Sequence, residues 1–105
     1  MTESEIRFNY DKAMGQAEEL RNIASSIKTI SEDNMEESFG KVQKNWTGEN
    51  SESYVKKGRT VQNKVTGSAN SVAAAATALE TMAKNIYNAE MAAIQIAQAA
   101  SSLLN

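Results

Sequence analysis

Apolar side chains recur at alternating steps of four and three residues through the second half of the chain. The steps alternate from Tyr54 to Leu103 without a slip, and most of the positions are apolar, which is the heptad spacing of a helix that carries a narrow apolar stripe. One helix cannot bury such a stripe alone, so another helix has to cover it. The pattern predicts one long helix over about residues 49–104, against which the remaining segments pack.

A shorter helix is predicted over about residues 11–46. Its apolar positions keep heptad spacing as far as Ile27 and resume in a shifted phase at Met35. Asn9 or Asp11 is the predicted N-cap, which leaves residues 1–9 as a loose N-terminal arm. The phase shift at residues 31–34 allows either a break or one helix with a local disturbance, and we favour the second interpretation.

A tight turn is predicted over residues 46–49. Gly48 can take the left-handed conformation that ends a helix, and the acidic Glu49 and Glu52 suit the start of the next one. Reversal at this point gives an all-α antiparallel helical hairpin. In that hairpin the acidic segment 32–37 faces the basic segment 56–64, and residues 86–104 form a C-terminal overhang.

The predicted overhang is apolar, and its one charged residue is Glu90. Exposed apolar surfaces of that length mark interaction sites. We therefore expect the chain, a single domain over residues 1–105, to associate into a four-helix bundle with a second helical molecule. The predicted interface residues are Phe39, Tyr54, Val61, Val65, Val72, Leu79, Met82, Ile86, Met91, Ile96 and Leu103.

Composition narrows the possible functions. The 105 residues include no Cys, no His and no Pro, and the net charge is −2. Metal sites and nucleophile–base pairs therefore lack their usual side chains, and no phosphate-binding loop is present. The charge disfavours a nucleic-acid partner. We expect a protein that is not an enzyme and has no cofactor.

The N-terminal sequence MTESEIRFNYDK does not show the basic and apolar regions of a secretory signal peptide. The weakly polar run that ends at Leu104 is too short and too polar to span a bilayer. We expect a chain without a transmembrane segment, and any export would use a route without a cleaved signal.

A chain of this length, with a Trp-Xaa-Gly turn between two helices, resembles the WXG family of small helical-hairpin substrates of type VII (Esx-type) secretion. The matching residues are Trp46, Thr47, Gly48 and, in the second helix, Tyr54, and the resemblance covers about residues 6–90. It implies a protein that is made in the bacterial cytoplasm and secreted through a channel driven by a membrane ATPase. It also implies a homodimer, or a heterodimer with a similar helical protein.

In that family the export signal joins the Trp-Xaa-Gly turn of one subunit to a Tyr-Xaa-Xaa-Xaa-Asp/Glu motif on the C-terminal arm of the other. The resemblance assigns this role to Trp46, Thr47, Gly48, Tyr87 and Glu90. Glu90 stands three residues after Tyr87 rather than four, and both spacings lie on the same helix face.

Two other roles stay open. The first is a helical companion, similar to an adaptor or chaperone, for the targeting domain of a larger secreted toxin. The second is a membrane-active secreted protein whose C-terminal arm inserts at an interface, although that arm lacks the Lys/Arg face typical of such helices.

Overall fold

In the computed structural model, which describes residues 1–104, the chain forms two helical arms. The first consists of α1 (Glu3–Thr29), a π-helical turn (Ile30–Asn34) and α2 (Met35–Asn45), without a break between them. The second is a single long helix, α3 (Glu49–Leu104). Residues 1–104 contain no strand. The predicted all-α helical hairpin is confirmed.

The first helix begins at Glu3, so the predicted start near residue 11 is wrong. Thr2 is its cap: the hydroxyl oxygen accepts from the N–H of Glu5 at 3.2 Å, and the carbonyl accepts from the N–H of Ile6 at 3.1 Å. Thr2 and Glu5 have the spacing of a capping box. Ile6 is buried, at 3% exposed, which anchors the first turns. The segment predicted as a loose arm is therefore helical from Glu3 onward.

The predicted turn at residues 46–49 is confirmed. Trp46 leaves the helix in an extended conformation, with φ −138° and ψ 104°, while its N–H still bonds the carbonyl of Val42 at 2.8 Å. Gly48 has φ 116°, a conformation that disfavours any residue with a Cβ. The Gly48 carbonyl accepts from the Ser51 hydroxyl at 2.9 Å and from the N–H of Glu52 at 3.2 Å, which starts α3.

The phase shift in the first arm is produced by the π-helical turn, so the prediction of one helix with a local disturbance is confirmed. The N–H of Met35 bonds the carbonyl of Ile30, five residues earlier. The turn thus holds one residue more than an α-helical turn, and both Ser31 and Phe39 are buried. A regular helix would place Glu32, a heptad before Phe39, where Ser31 now lies. The extra residue avoids burial of that carboxylate.

Contacts within the chain fall into two units, and the first of them comprises residues Leu20–Ala74. Phe39 is buried there, and its ring lies directly over Gly58 of α3. A Cβ built at Gly58 would lie 2.8 Å from Phe39 Cζ, so this approach requires glycine. The guanidinium carbon of Arg59 lies 5.2 Å from the centre of the Phe39 ring, in cation–π range.

The second unit joins residues 1–19 to residues 75–104. Tyr10 and Tyr87 pack ring on ring, with centroids 4.8 Å apart and planes at 41°. Its buried apolar residues are Ile6, Ala17, Ala76 and Ala83.

This second unit also changes the predicted overhang. Met1 and Ile6 line one groove together with Ile94 and Ala97, so the start of α1 covers α3 well beyond residue 86. The prediction that everything from residue 86 onward overhangs is wrong, because α1 starts earlier than expected. Leu103 and Leu104 are nevertheless 89% and 88% exposed.

The stripe of α3 that the hairpin buries lies one residue after the predicted heptad stripe. The buried positions are Val55, Ala69, Ala76 and Ala83, whereas the preceding residues Tyr54, Ser68, Ala75 and Met82 are exposed. The stripe of mainly small side chains therefore faces the first arm, and the stripe with the larger apolar side chains lies on the outer surface of the hairpin. The spacing was predicted correctly, but the face was not.

Candidate interaction site

The Trp-Xaa-Gly turn presents an aromatic pair at the surface. The Trp46 and Tyr54 rings have centroids 6.1 Å apart and planes at 52°. Both side chains are about half exposed, at 48% and 55%. Trp46 therefore does not fill the hairpin core; it rests on the first turns of α3, with one side of the indole available to a second molecule.

The other two residues assigned to the export signal lie in the second unit. Tyr87 is half-buried against Tyr10, and Glu90 is half-buried at a groove that it lines with Ile6. That groove has a volume of about 130 Å³ and is predominantly apolar. The turn residues and the Tyr87–Glu90 pair thus belong to different units of the chain.

An apolar outer face runs along the first unit. On the first arm it includes Ile23 and Ile30, 51% and 49% exposed, and on α3 it includes Tyr54 and Val61, 55% and 53% exposed. Half-buried Leu20, Ile27, Met35, Val42, Val65 and Val72 fill the space between these exposed residues and the buried seam.

Helix geometry places these two stripes on the same side of the first unit. At about 100° per residue, Ile23 precedes the buried Ala24 by about 100°, and Ser68 precedes the buried Ala69 by the same angle. Antiparallel helices are related by a two-fold axis perpendicular to both. Equal offsets in the same sense therefore fall on one face of the pair. We call this surface, formed by both arms within residues 20–74, the apolar face.

The apolar face carries no charged residue. Charged side chains lie instead on the opposite side of the seam, where Glu36 and Arg59 pair, or at the outer edges, as Lys57 and Lys64 do. A surface with aliphatic and aromatic groups at its centre and charges at its rim is typical of a protein–protein interface.

The predicted interface residues divide into three groups by exposure. Phe39 is buried inside the hairpin. Val65, Val72, Leu79 and Met91 are half-buried. Exposed are Tyr54, Val61, Met82, Ile86, Ile96 and Leu103.

A polar layer interrupts the buried seam of the first unit; its members are Ser31, Gln62 and Thr66. The Ser31 hydroxyl is fully buried and lies 2.6 Å from the Thr66 hydroxyl. The Gln62 amide donates to the Ser31 carbonyl at 2.9 Å and to a Glu36 carboxylate oxygen at 2.8 Å. Sequence reasoning missed this layer, because Gln62 and Thr66 lie beside the predicted heptad stripe of α3 and not on it.

Glu36 and Arg59 extend the polar layer to the surface. Arg59 donates to both Glu36 oxygens, and its Nη1 also donates to the Gln62 side-chain oxygen at 3.3 Å. The hydrogen bond from Arg59, and then that from Gln62, lowers the pKa of Glu36, and the same carboxylate raises the pKa of Arg59. Of the predicted acidic segment, Glu36 pairs across the hairpin, whereas Glu37 pairs with Lys41 on its own helix.

No set of three His, Cys, Asp or Glu side chains within residues 1–104 is arranged to hold a metal ion. None of the helices in that range is long and apolar enough to cross a membrane.

No protein family, curated protein or solved structure matches the chain.

Proposed function

We propose that this protein is a small, non-enzymatic interaction module of type VII secretion, exported as a dimeric helical hairpin with a composite export signal. The observation that carries the proposal is the charge-free apolar face of the first unit. Large side chains that could have filled the hairpin lie outside it, as in a subunit whose interface is covered by another hairpin.

Two further features support the export part of the proposal. The hairpin reverses at Trp46-Thr47-Gly48, and Trp46 is accessible beside Tyr54. Tyr87 and Glu90 lie close together on α3, with the tyrosine ring partly exposed. A signal assembled from two subunits does not require these groups to meet within one chain, so their presence in different units is compatible with it.

Export of single variants from the bacterium that makes the protein tests the proposal. Trp46→Ala and Tyr87→Ala should lower the secreted amount by about tenfold or more while the cellular amount stays unchanged. Lys44→Ala and Tyr10→Ala are controls: Lys44 is an exposed residue near Trp46 that lies outside the apolar face, and Tyr10→Ala removes the ring contact of Tyr87 from its other side. We expect both controls to be secreted. Secretion of the Trp46 and Tyr87 variants at the level of their controls would contradict the proposal.

One observation favours the second candidate, a companion for the targeting domain of a larger secreted toxin. Glu90 lies against the Ile6 side of the inter-helix groove, and the next residue, Met91, is also half-buried. The acidic group is therefore only partly accessible to a second molecule. Co-expression with the neighbouring gene product separates the candidates: a stable one-to-one complex that replaces the homodimer supports the companion role.

A further inference from the structure

Two neighbouring stripes of α3 could face the first arm. The stripe that contains the exposed Tyr54, Val61 and Met82 has larger apolar side chains than the buried stripe, and burial of apolar area is the main force that drives helices together. The buried stripe nevertheless consists of small or polar residues over much of its length. Some other interaction must select the rotation of α3 about its own axis.

The contact between Phe39 and Gly58 does not make this selection. Gly58 lies at the border of the two stripes, four residues from Tyr54 and three from Val55, so a rotated α3 still offers glycine to the ring.

The polar layer does distinguish the two stripes. Rotation of α3 by about 100°, the angle between successive residues, carries Gln62 and Thr66 away from Ser31. The Ser31 hydroxyl and carbonyl then lose partners that lie at 2.6 Å and 2.9 Å, in a residue that is fully buried. Buried polar groups without partners are strongly disfavoured, so the rotated packing is penalised at this one level of the hairpin.

We infer that the polar layer of Ser31, Gln62 and Thr66 fixes the rotation of α3 and thereby keeps the large apolar stripe outside the hairpin. Because of this layer, less apolar surface is buried within the hairpin, and the apolar face stays accessible to a second molecule. The inference concerns the hairpin alone, so it can fail or hold independently of export.

Disulfide trapping tests it directly in the full chain, which contains no cysteine of its own. Ala24 and Ala69 are both buried and line one groove, so Ala24→Cys with Ala69→Cys reports the observed rotation. Ala24→Cys with Ser68→Cys reports the rotated packing. We expect the first pair to form an intramolecular disulfide at least about tenfold faster than the second. In the triple variant Ser31→Ala, Gln62→Leu, Thr66→Val this preference should disappear or reverse.

A matched control carries the same kinds of change at the exposed positions Ser25→Ala, Thr60→Val and Asn63→Leu, and it should keep the original preference. Circular dichroism verifies that each variant is helical. A helical triple variant with an unchanged preference would overturn the inference. If the triple variant does not fold, the single variant Thr66→Val provides the test, because it removes the hydroxyl and keeps the shape of the side chain. A disulfide preference equal to that of the parent would then overturn the inference.

Discussion

At the scale of single residues, two sites in the first unit tie the arms together by different means. Phe39 needs a partner without a side chain, because its ring lies where a Cβ of residue 58 would be. Glu36 needs donors, and it obtains them from Arg59 and Gln62 of the opposite arm. One site is governed by volume and the other by charge, so they respond to different perturbations.

Substitution of glycine separates the steric demand from helix propensity. Gly58→Ala should destabilise the hairpin by about 1–3 kcal/mol, since the new methyl group forces the buried Phe39 ring to move. Gly67→Ala should instead stabilise it by about 0.5–1 kcal/mol, because no neighbouring atom lies within 4 Å and alanine favours the helix. Urea unfolding followed by circular dichroism measures both. Equal effects would show that Gly58 has no packing role.

Acidification should weaken the link between Glu36 and Arg59. The pKa of Glu36 is lowered from its ordinary value of 4.5, so its stabilising contribution is present above that pH and is lost as the pH falls through the lowered value. Glu36→Gln should therefore lose less stability than the parent between pH 5 and about pH 3. Urea midpoints across this range measure the difference. Glu37→Gln, which leaves the pair across the hairpin intact, should respond like the parent.

At the scale of elements, the π-helical turn joins two helical segments whose apolar stripes are out of phase. One additional residue between Ser31 and Phe39 rotates α1 relative to α2, so that both segments turn their small or apolar residues toward α3. The element is thus explained by the sequence on either side of it.

Removal of the extra residue should regularise the first arm rather than disrupt it. Deletion of the exposed Asn34 shortens the spacing between Ser31 and Phe39 to a heptad, and we expect full helicity with a stability equal to or above that of the parent. Deletion of the exposed Ser26, within regular α-helix, should cost more than about 2 kcal/mol, because every earlier residue advances by one position and Glu5 then lies where Ile6 is buried. Thermal unfolding compares the two. A larger loss from the Asn34 deletion would contradict this account.

At the scale of the whole molecule, each of the two units exposes large apolar side chains on its surface. In the first unit they form the apolar face, and in the second they include Met82, Ile86 and Ile96, each more than half exposed. The hairpin interior, by contrast, is filled mainly by alanine. Apolar surface of this kind is stable in water when another molecule covers it.

A charge at the centre of the apolar face should prevent association. Val61→Glu should weaken the proposed dimer by about tenfold or more, since a carboxylate replaces a side chain whose burial stabilises by about 1.5–3 kcal/mol. Thr60→Glu, the adjacent exposed residue on the polar side, should dimerise like the parent. Light scattering coupled to size-exclusion chromatography measures both. A parent that stays monomeric at all concentrations would contradict the predicted dimer.

The sequence by itself determined the two helical arms and the turn at residues 46–49. These depend on local chemistry, namely heptad spacing, the absence of proline, and a glycine where the backbone must reverse. It also contained the Thr2 and Glu5 cap, which fixes the helix start, but that signal is short and was outweighed by the polar N-terminal composition. The aromatic residue of the turn and the large apolar residues of α3 could likewise be read from spacing alone.

Only the tertiary structure decided which stripe of α3 faces the first arm. Heptad spacing fixes the interval between buried residues but not the rotation of the helix. The rotation depends on partners more than thirty residues apart, such as Ser31 with Gln62 and Thr66. Their hydrogen bonds form only after the chain has reversed, and no local pattern encodes them. For the same reason the apolar face, which both arms build together, became visible only in the folded hairpin.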